Sequence, residues 1–323
     1  MRFILFTTKK RITLREKTEF KRGAFMEKYD GSTVNPTMLD NALVVMANSL
    51  ARKQTKWSVR EVKLFLTALS QIKTRDKDNW VTLNKSDIIK KLEMDARNTN
   101  KLRGLFKDVA TKSWVQFDGE NEEEWHDGFL ITMAKSTRNT VSVQFAKDYL
   151  PLLDQLETRF TWFYLDNIAH FNSKHAISLY QFLRSWYDKD YMITHKKVSL
   201  KDLKQLFELD ENSYMVKRTD KKTGRVNIVF DVYNFEKKVL NKAIEEINAD
   251  PVKSGMFVSY EKLKSHGTTG HVLGYDFAFS LIKQDGTRRY DKEDKQDKKT
   301  PVNDGDHFDK TSQKVKKVFY GID

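Results

Sequence analysis

The 323-residue chain contains no cysteine. Disulfides, thiolate metal sites and a cysteine nucleophile are therefore excluded, stability has to come from packing, and a reducing cytosol fits. Long apolar runs are missing too. Arg2-Phe3-Ile4-Leu5-Phe6 is too short for a signal core or a membrane span, and no later stretch approaches about twenty apolar residues. The protein is expected to be cytoplasmic and soluble, with no membrane partner. None of the seven histidines forms the His-x-His pair of a rolling-circle nickase, which needs a cation on the scissile phosphate beside its tyrosine. Tyr260 and Lys264 have a Tyr-x-x-x-Lys spacing, but on a predicted strand and without that metal partner. There is no Gly-x-x-x-x-Gly-Lys-Ser/Thr phosphate loop, and Gly267 to Gly274 is only glycine-rich. The pairs His170/His175 and His266/His271 lack i, i+4 spacing and a third ligand, and carboxylates such as Glu245 and Glu246 do not make an acid-base site. An enzyme, a metal site and a cofactor are all unsupported.

What the chain does have is positive charge. With 58 Lys and Arg against 45 Asp and Glu, its net charge of +13 favours a polyanionic partner, because each neutralised phosphate releases condensed counterions. Nucleic acid is the favoured polyanion, although membrane-surface proteins and nucleases share the balance. The length suits two domains, each able to bury a core.

An internal repeat carries most of the information. Ser58 and Glu61 form a capping box ahead of Val59, Val62, Phe65, Leu66, Leu69 and Ile72, which fall on one face of an amphipathic helix. Shifted by 115 residues, Val62, Leu64, Phe65 and Ala68 become Ile177, Leu179, Tyr180 and Leu183, inside a helical run from Ser173 to Asp188. Asn84 with Asp87 signals a second helix through Ile88, Ile89 and Leu92, and Ser199, Asp202, Leu203 and Phe207 reproduce it at the same offset. A third helix recurs at an offset of 138, where Leu102, Leu105, Phe106 and Val109 become Leu240, Ala243, Ile244 and Ile247. The second copy thus gains a 23-residue insertion. Strand-like runs follow each third helix, at Trp114–Phe117, Phe129–Met133 and Val141–Phe145, then Met256–Tyr260 and Val272–Ile282. In the last, Leu273, Tyr275, Phe277, Phe279 and Leu281 alternate with Asp276, Ala278 and Ser280, as a half-buried strand does.

Helix, helix, helix, hairpin is the order of a winged helix, so the expected class is α+β, with two tandem winged-helix domains related by duplication and flexible termini. The expected division is a basic arm at 1–37, a first unit at 38–151 closing at Pro151, a second at 152–283, and a disordered charged tail at 284–323. Codons for Lys21 to Ala24 can carry a ribosome-binding stretch, so Met26 is a candidate start in place of Met1. The basic-apolar stretch from Lys314 to Tyr320 is a weak docking candidate within a solvated tail.

Over residues 38–282 this pattern resembles the initiator replication proteins of theta-type plasmids, the iteron-binding initiators. The resemblance rests on Asn41-Ala42-Leu43, on Ser173 through Leu183, and on Phe235 through Asn248 with its Ala243-Ile244-Glu245-Glu246-Ile247-Asn248 ending. It implies binding to directly repeated double-stranded origin DNA, opening of an adjacent AT-rich segment, recruitment of the host replication initiator and helicase, and a homodimer in exchange with monomer that represses its own gene. It further implies that the second unit supplies the principal major-groove helix, while the first dimerises and adds DNA contacts. A transcriptional or partition regulator of the same fold is the alternative.

A recognition helix buries one face and offers the other to bases and phosphates. From Phe235 to Ile247 the buried face takes Phe235, Val239, Leu240, Ala243, Ile244 and Ile247, which leaves Asn234, Lys237, Lys238, Asn241, Lys242 and Glu245 for DNA. Asn241 suits adenine, Glu245 suits cytosine, and the lysines suit guanine or phosphate. In the first unit Asn100, Arg103, Gly104, Lys107 and Thr111 form a small, basic outward face. The wing turns add Lys135, Thr137, Arg138 and Asn139, then His266, Thr268, Thr269 and His271. The insertion adds Lys217, Arg218, Lys221, Lys222 and Arg225, read as a basic loop bracing phosphates.

Overall fold

Local signals decide where the helices begin. In a computed structural model, which describes residues 39, 41–52, 56–72, 79–95, 99–118, 125–153, 160–219, 224–265 and 270–289, the chain opens with β1 (Leu43–Ala47) and a single turn α1 (Asn48–Ala51), then α2 (Val59–Leu69). At the head of α2 the Ser58 hydroxyl accepts from the Glu61 N–H at 3.4 Å, and the Ser58 N–H donates to the Glu61 carboxylate at 2.6 Å, the expected capping box. Burial opposes the charge on Glu61, but hydrogen bonds from Lys112 and Ser58 hold its pKa below the ordinary carboxylate value. Ser58→Ala is expected to cost about 1 kcal/mol, read as a lower urea midpoint; an unmoved midpoint would mean that the cap contributes nothing.

The first unit continues through β2 (Trp80–Asn84), α3 (Lys85–Lys91), α4 (Thr99–Thr111), β3 (Trp114–Asp118), β4 (Trp125–Phe129), β5 (Ile131–Ser136), β6 (Thr140–Phe145) and a turn α5 (Leu150–Leu153). Its sheet has the order β2-β6-β5, and β3 and β4 form a separate hairpin. The expected run Phe129–Met133 is therefore two elements, divided at the buried Leu130 where one hairpin hands over to the next.

The second unit begins with β7 (Phe160–Tyr164), α6 (Asp166–Ala169) and α7 (Lys174–Arg184), then β8 (Thr194–Ser199) and α8 (Leu200–Leu206). The insertion follows as a hairpin, β9 (Met215–Thr219) and β10 (Val226–Phe230), and not as the expected loop. The third helix, α9, runs through Val232–Phe235, a π-helical turn Glu236–Leu240 and Asn241–Asn248. A short α10 (Pro251–Ser254) leads to β11 (Met256–Lys264) and β12 (Val272–Leu281), and the sheet has the order β11-β12-β8. The repeat is visible in the caps, since Ser58 and Ser173 both begin helices, as do Asn84 and Ser199. Unforeseen from sequence were β2 and β8, the strands that precede each second helix and complete the three-stranded sheets.

The core follows the expected periodicity in α9, where Phe235, Val239, Leu240, Ala243, Ile244 and Ile247 are all buried; in β12 Tyr275, Phe277, Phe279 and Leu281 are buried as expected, but Leu273, expected on the same face, is exposed and Ser280, expected on the open face, is buried. Helix α2 departs from it. From Lys63 to Ser70 every residue is buried, polar ones included, because α4, β1, β2 and α7 pack around it. Its Lys63 ammonium is satisfied by the Ala169 carbonyl at 2.6 Å.

Polar and aromatic groups join the halves. Strand β1 pairs antiparallel with β7, Lys91 is salt-bridged to Asp166, and the Thr161 hydroxyl donates to Asn48 at 2.7 Å. Arg52 donates to the Ser185 hydroxyl and carbonyl at 2.8 and 2.9 Å, with its guanidinium 3.7 Å from the Trp186 ring centre and the Lys196 ammonium 3.3 Å from the same centre. Arg184 and Arg289 both lie over Trp162. Residues 284–289, expected to belong to the disordered tail, are therefore part of the fold: Ile282 bridges to Arg288, and the Arg289 N–H donates to Leu281. A charged segment is ordered here by an aromatic partner distant in sequence. The arm 1–37, both candidate starts, and the stretches 291–299 and 314–320 lie outside the described residues.

Candidate nucleic-acid interface

The outward side of α9 is built by its own core face. With the apolar positions turned inward, Tyr233, Lys237, Lys238, Lys242 and Glu245 are exposed along one side. Two other expected contacts are drawn inward. Asn234 sits in the helix cap, where its backbone N–H and its side-chain amide both donate to Asp231, and these bonds hold the Asp231 carboxyl below its ordinary range. Asn241 is half-buried, and its carboxamide oxygen accepts from the Tyr260 hydroxyl at 2.8 Å.

Anchors from the wing strands fix the pose of this helix. Glu236, in the π-helical turn, is buried and accepts from the Tyr275 hydroxyl at 3.0 Å and the Lys262 ammonium at 2.7 Å. Burial and the adjacent Glu236 hold the Tyr275 hydroxyl protonated far above its ordinary value. A π turn shifts the angular phase of everything after it, so tying it to β11 and β12 determines where Lys242 and Glu245 point.

Beside α9, the basic insertion is split by strand geometry. Lys217, Arg218 and Arg225 are exposed, but neighbouring residues on a strand point to opposite faces. Lys217 pairs with Ile228 on one face and Arg218 with Asn227 on the other, where its charge helps to lower the Asp231 pKa. The expectation that these two lysine and arginine side chains act as one cluster is corrected accordingly. The Lys217 face also carries Val226 and Ile228, which are 59% and 63% exposed, and Tyr233 at the start of α9 is 67% exposed. Sequence reading missed these three, although apolar residues at alternating positions of a basic hairpin were a usable signal.

In the first unit Arg103, Gly104, Lys107 and Thr111 are exposed on α4. Among the described residues a Cβ added at Gly104 would meet no heavy atom within 4 Å, so none of them requires glycine there. At the wing, Lys135, Thr137, Arg138 and Asn139 are exposed, and the turn is braced by Lys85, whose ammonium donates to the Thr137 carbonyl at 2.6 Å and whose N–H donates to the Asn139 carbonyl at 2.9 Å. Lys135 lies over Trp80, its ammonium 4.2 Å from the ring centre, which leaves Arg138 as the extended cation of the turn. The side chain of Asn100 and residues Lys221, Lys222, His266, Thr268 and Thr269 lie outside what is described.

Two exposed basic helix faces, one per unit, each flanked by a hairpin, are brought together in one chain. No curated protein matches the chain. Among solved structures, one of the Pi initiator protein in complex with iteron DNA is 18% identical, with a TM-score of 0.57 over 77% of this chain and 99% of that one. A structure of domains 2 and 3 of RctB is 12% identical, with a TM-score of 0.42 over 69% of this chain and 81% of that one. The family model described as "Initiator Replication protein, WH1" matches residues 43–184, and "Initiator Rep protein, WH2" matches residues 199–279. The chain belongs to the initiator replication protein family and contains its two winged-helix domains in tandem.

Proposed function

We propose that this protein initiates plasmid replication by binding directly repeated duplex DNA, the iterons of an origin, with both third helices. The observation that carries this reading is the pair of outward basic faces, Lys237, Lys238 and Lys242 on α9 and Arg103 and Lys107 on α4, in a chain of the initiator family. The Pi initiator, which shares the fold, was crystallised on iteron DNA. In this reading the second unit reads bases and the first supplies backbone contact and dimerisation. Binding melts an adjacent AT-rich segment, recruits the host initiator and helicase, and as a dimer represses the protein's own gene. The work is done in the cytoplasm by binding alone, without chemistry or cofactor.

Gel-shift titration against tandem repeats of the cognate origin and scrambled duplexes, at several salt concentrations, tests the proposal. Tighter binding to the repeats supports it, whereas equal affinity for both DNAs removes the repeat-specific role. Within that assay Arg138→Ala is expected to weaken both DNAs alike and to flatten the salt dependence by about 0.9 in log–log slope, the value of one phosphate contact. An unchanged slope would place Arg138 away from DNA.

Gly104 offers a second test. Alanine in mid-helix is favoured over glycine by about 1 kcal/mol, and the added methyl meets none of the described residues. Gly104→Ala is therefore expected to raise stability while weakening DNA binding, because the methyl would stand between α4 and a close phosphate. A more stable variant with unaltered binding would show that the backbone of α4 does not approach DNA.

A further inference from the structure

The hydrogen bond between Tyr260 and Asn241 bears on what the α9 helix can read. The Tyr260 hydroxyl lies 2.8 Å from the Asn241 carboxamide oxygen. Glu236 accepts from Tyr275 at one oxygen and from Lys262 at the other, and the Tyr260 proton goes to Asn241. Burial, reinforced by the Glu236 charge, raises the Tyr260 pKa and keeps that proton in place. The phenol ring is itself fixed, packing 5.3 Å from Tyr275 and 6.2 Å from Phe277 between ring centres. The Asn241 amide nitrogen, by contrast, has no partner among the described residues and reaches solvent. It lies on the side of α9 that exposes Lys238 one turn before and Glu245 one turn after.

An asparagine reads adenine by two bonds, accepting from N6 and donating to N7. The first requires the carboxamide oxygen, which keeps a second lone pair but is turned toward the Tyr260 hydroxyl on β11. We propose that Tyr260 is a specificity-determining positioning residue that makes Asn241 a donor-only reader: adenine then offers it N7 alone and loses its two-bond advantage, so that the base preferred there is guanine, which offers N7 and O6, or thymine, which offers O4. This inference rests on the proposed DNA-reading role of α9.

Selection of randomised duplex DNA by the full-length protein tests it, with bound pools sequenced for wild type, Asn241→Ala, Asn241→Asp and Tyr260→Phe. Asn241→Ala identifies the position concerned, as the one where preference is lost. Wild type is expected to select guanine or thymine there. Tyr260→Phe keeps the ring packing and frees the carboxamide oxygen, so adenine at that position should rise about tenfold or more relative to wild type. Asn241→Asp still accepts from Tyr260 but turns an oxygen outward, so cytosine, whose N4 donates, should replace the wild-type base. Wild-type selection of adenine, or identical base ratios with and without the Tyr260 hydroxyl in a variant that melts like wild type, overturns the inference. Should Tyr260→Phe fail to fold, a switch to cytosine in Asn241→Asp supports the inference and its absence overturns it. If wild type enriches no sequence at all, the proposed function fails as well, which separates the two results.

Discussion

Gly274→Ala is expected to destabilise the second winged helix strongly. Gly274 lies in β12 opposite Ser199 of β8, and a Cβ there would stand 2.2 Å from the Val198 carbonyl oxygen, 3.0 Å from the Ser199 Cα and 3.1 Å from the Val198 carbonyl carbon. All three are backbone atoms, so no rotamer change relieves the overlap. Strand β8 would have to move, and Ser199 with it. Ser199 is also the cap of α8, whose hydroxyl accepts from the Asp202 N–H at 3.1 Å. One methyl group thus strains the sheet and the start of a helix together, which puts the cost in the upper range for a single substitution, about 4 kcal/mol or more. Against a domain stability of roughly 5–15 kcal/mol, that removes a large share of the margin. Gly128 provides the contrast, since a Cβ there would come within 2.9 Å of the Tyr149 hydroxyl, the far end of a side chain. Urea denaturation of both variants should show a large fall for Gly274→Ala and a smaller one for Gly128→Ala. A wild-type midpoint for Gly274→Ala would mean that the strands are free to separate there.

The helical half of this architecture was legible because its signals are local. Ser58 with Glu61, and Ser199 with Asp202, place helix starts within three residues of sequence, and the apolar spacing from Phe235 to Ile247 selects the buried face of α9. Strands β2 and β8 were not legible. They are short, they carry polar residues such as Thr82, Lys196 and Lys197, and they are strands only because β6 and β12 lie beside them. The same holds for α2, whose buried Lys63 and Thr67 look solvent-facing until the second unit covers them. Among the candidate site residues, exposure of the α9 lysines followed from periodicity alone. What periodicity could not reveal was that Asn234 is tied to the Asp231 cap of its own helix, that Asn241 is held by a tyrosine nineteen residues away, and that Lys135 lies over Trp80. Each depends on a side chain brought close by the fold, which spacing in the sequence does not encode.

The α9 lysines carry the largest expected effect on binding. Replacing Lys237, Lys238 and Lys242 together by glutamine keeps good helix formers on an exposed surface, so the helix and its buried face should persist. What changes is charge. If the three ammonium groups meet three phosphates, their loss should lower the log–log salt slope by about 2.7, at about 0.9 per phosphate, and reduce affinity about a hundredfold or more near physiological salt. The effect should be similar for cognate and scrambled duplexes, because phosphate contacts position the protein without reading sequence. Arginine at the same three positions retains the charge and should restore the slope, while its planar fork alters any base contact a lysine made. The hairpin sets a useful comparison. Lys217 and Arg218 point to opposite faces of β9, so one duplex cannot engage both in the same way, and removing the pair should change the slope by about one unit, not two. A slope unmoved by the triple glutamine variant would turn this face of α9 away from the DNA and leave α4 as the principal contact.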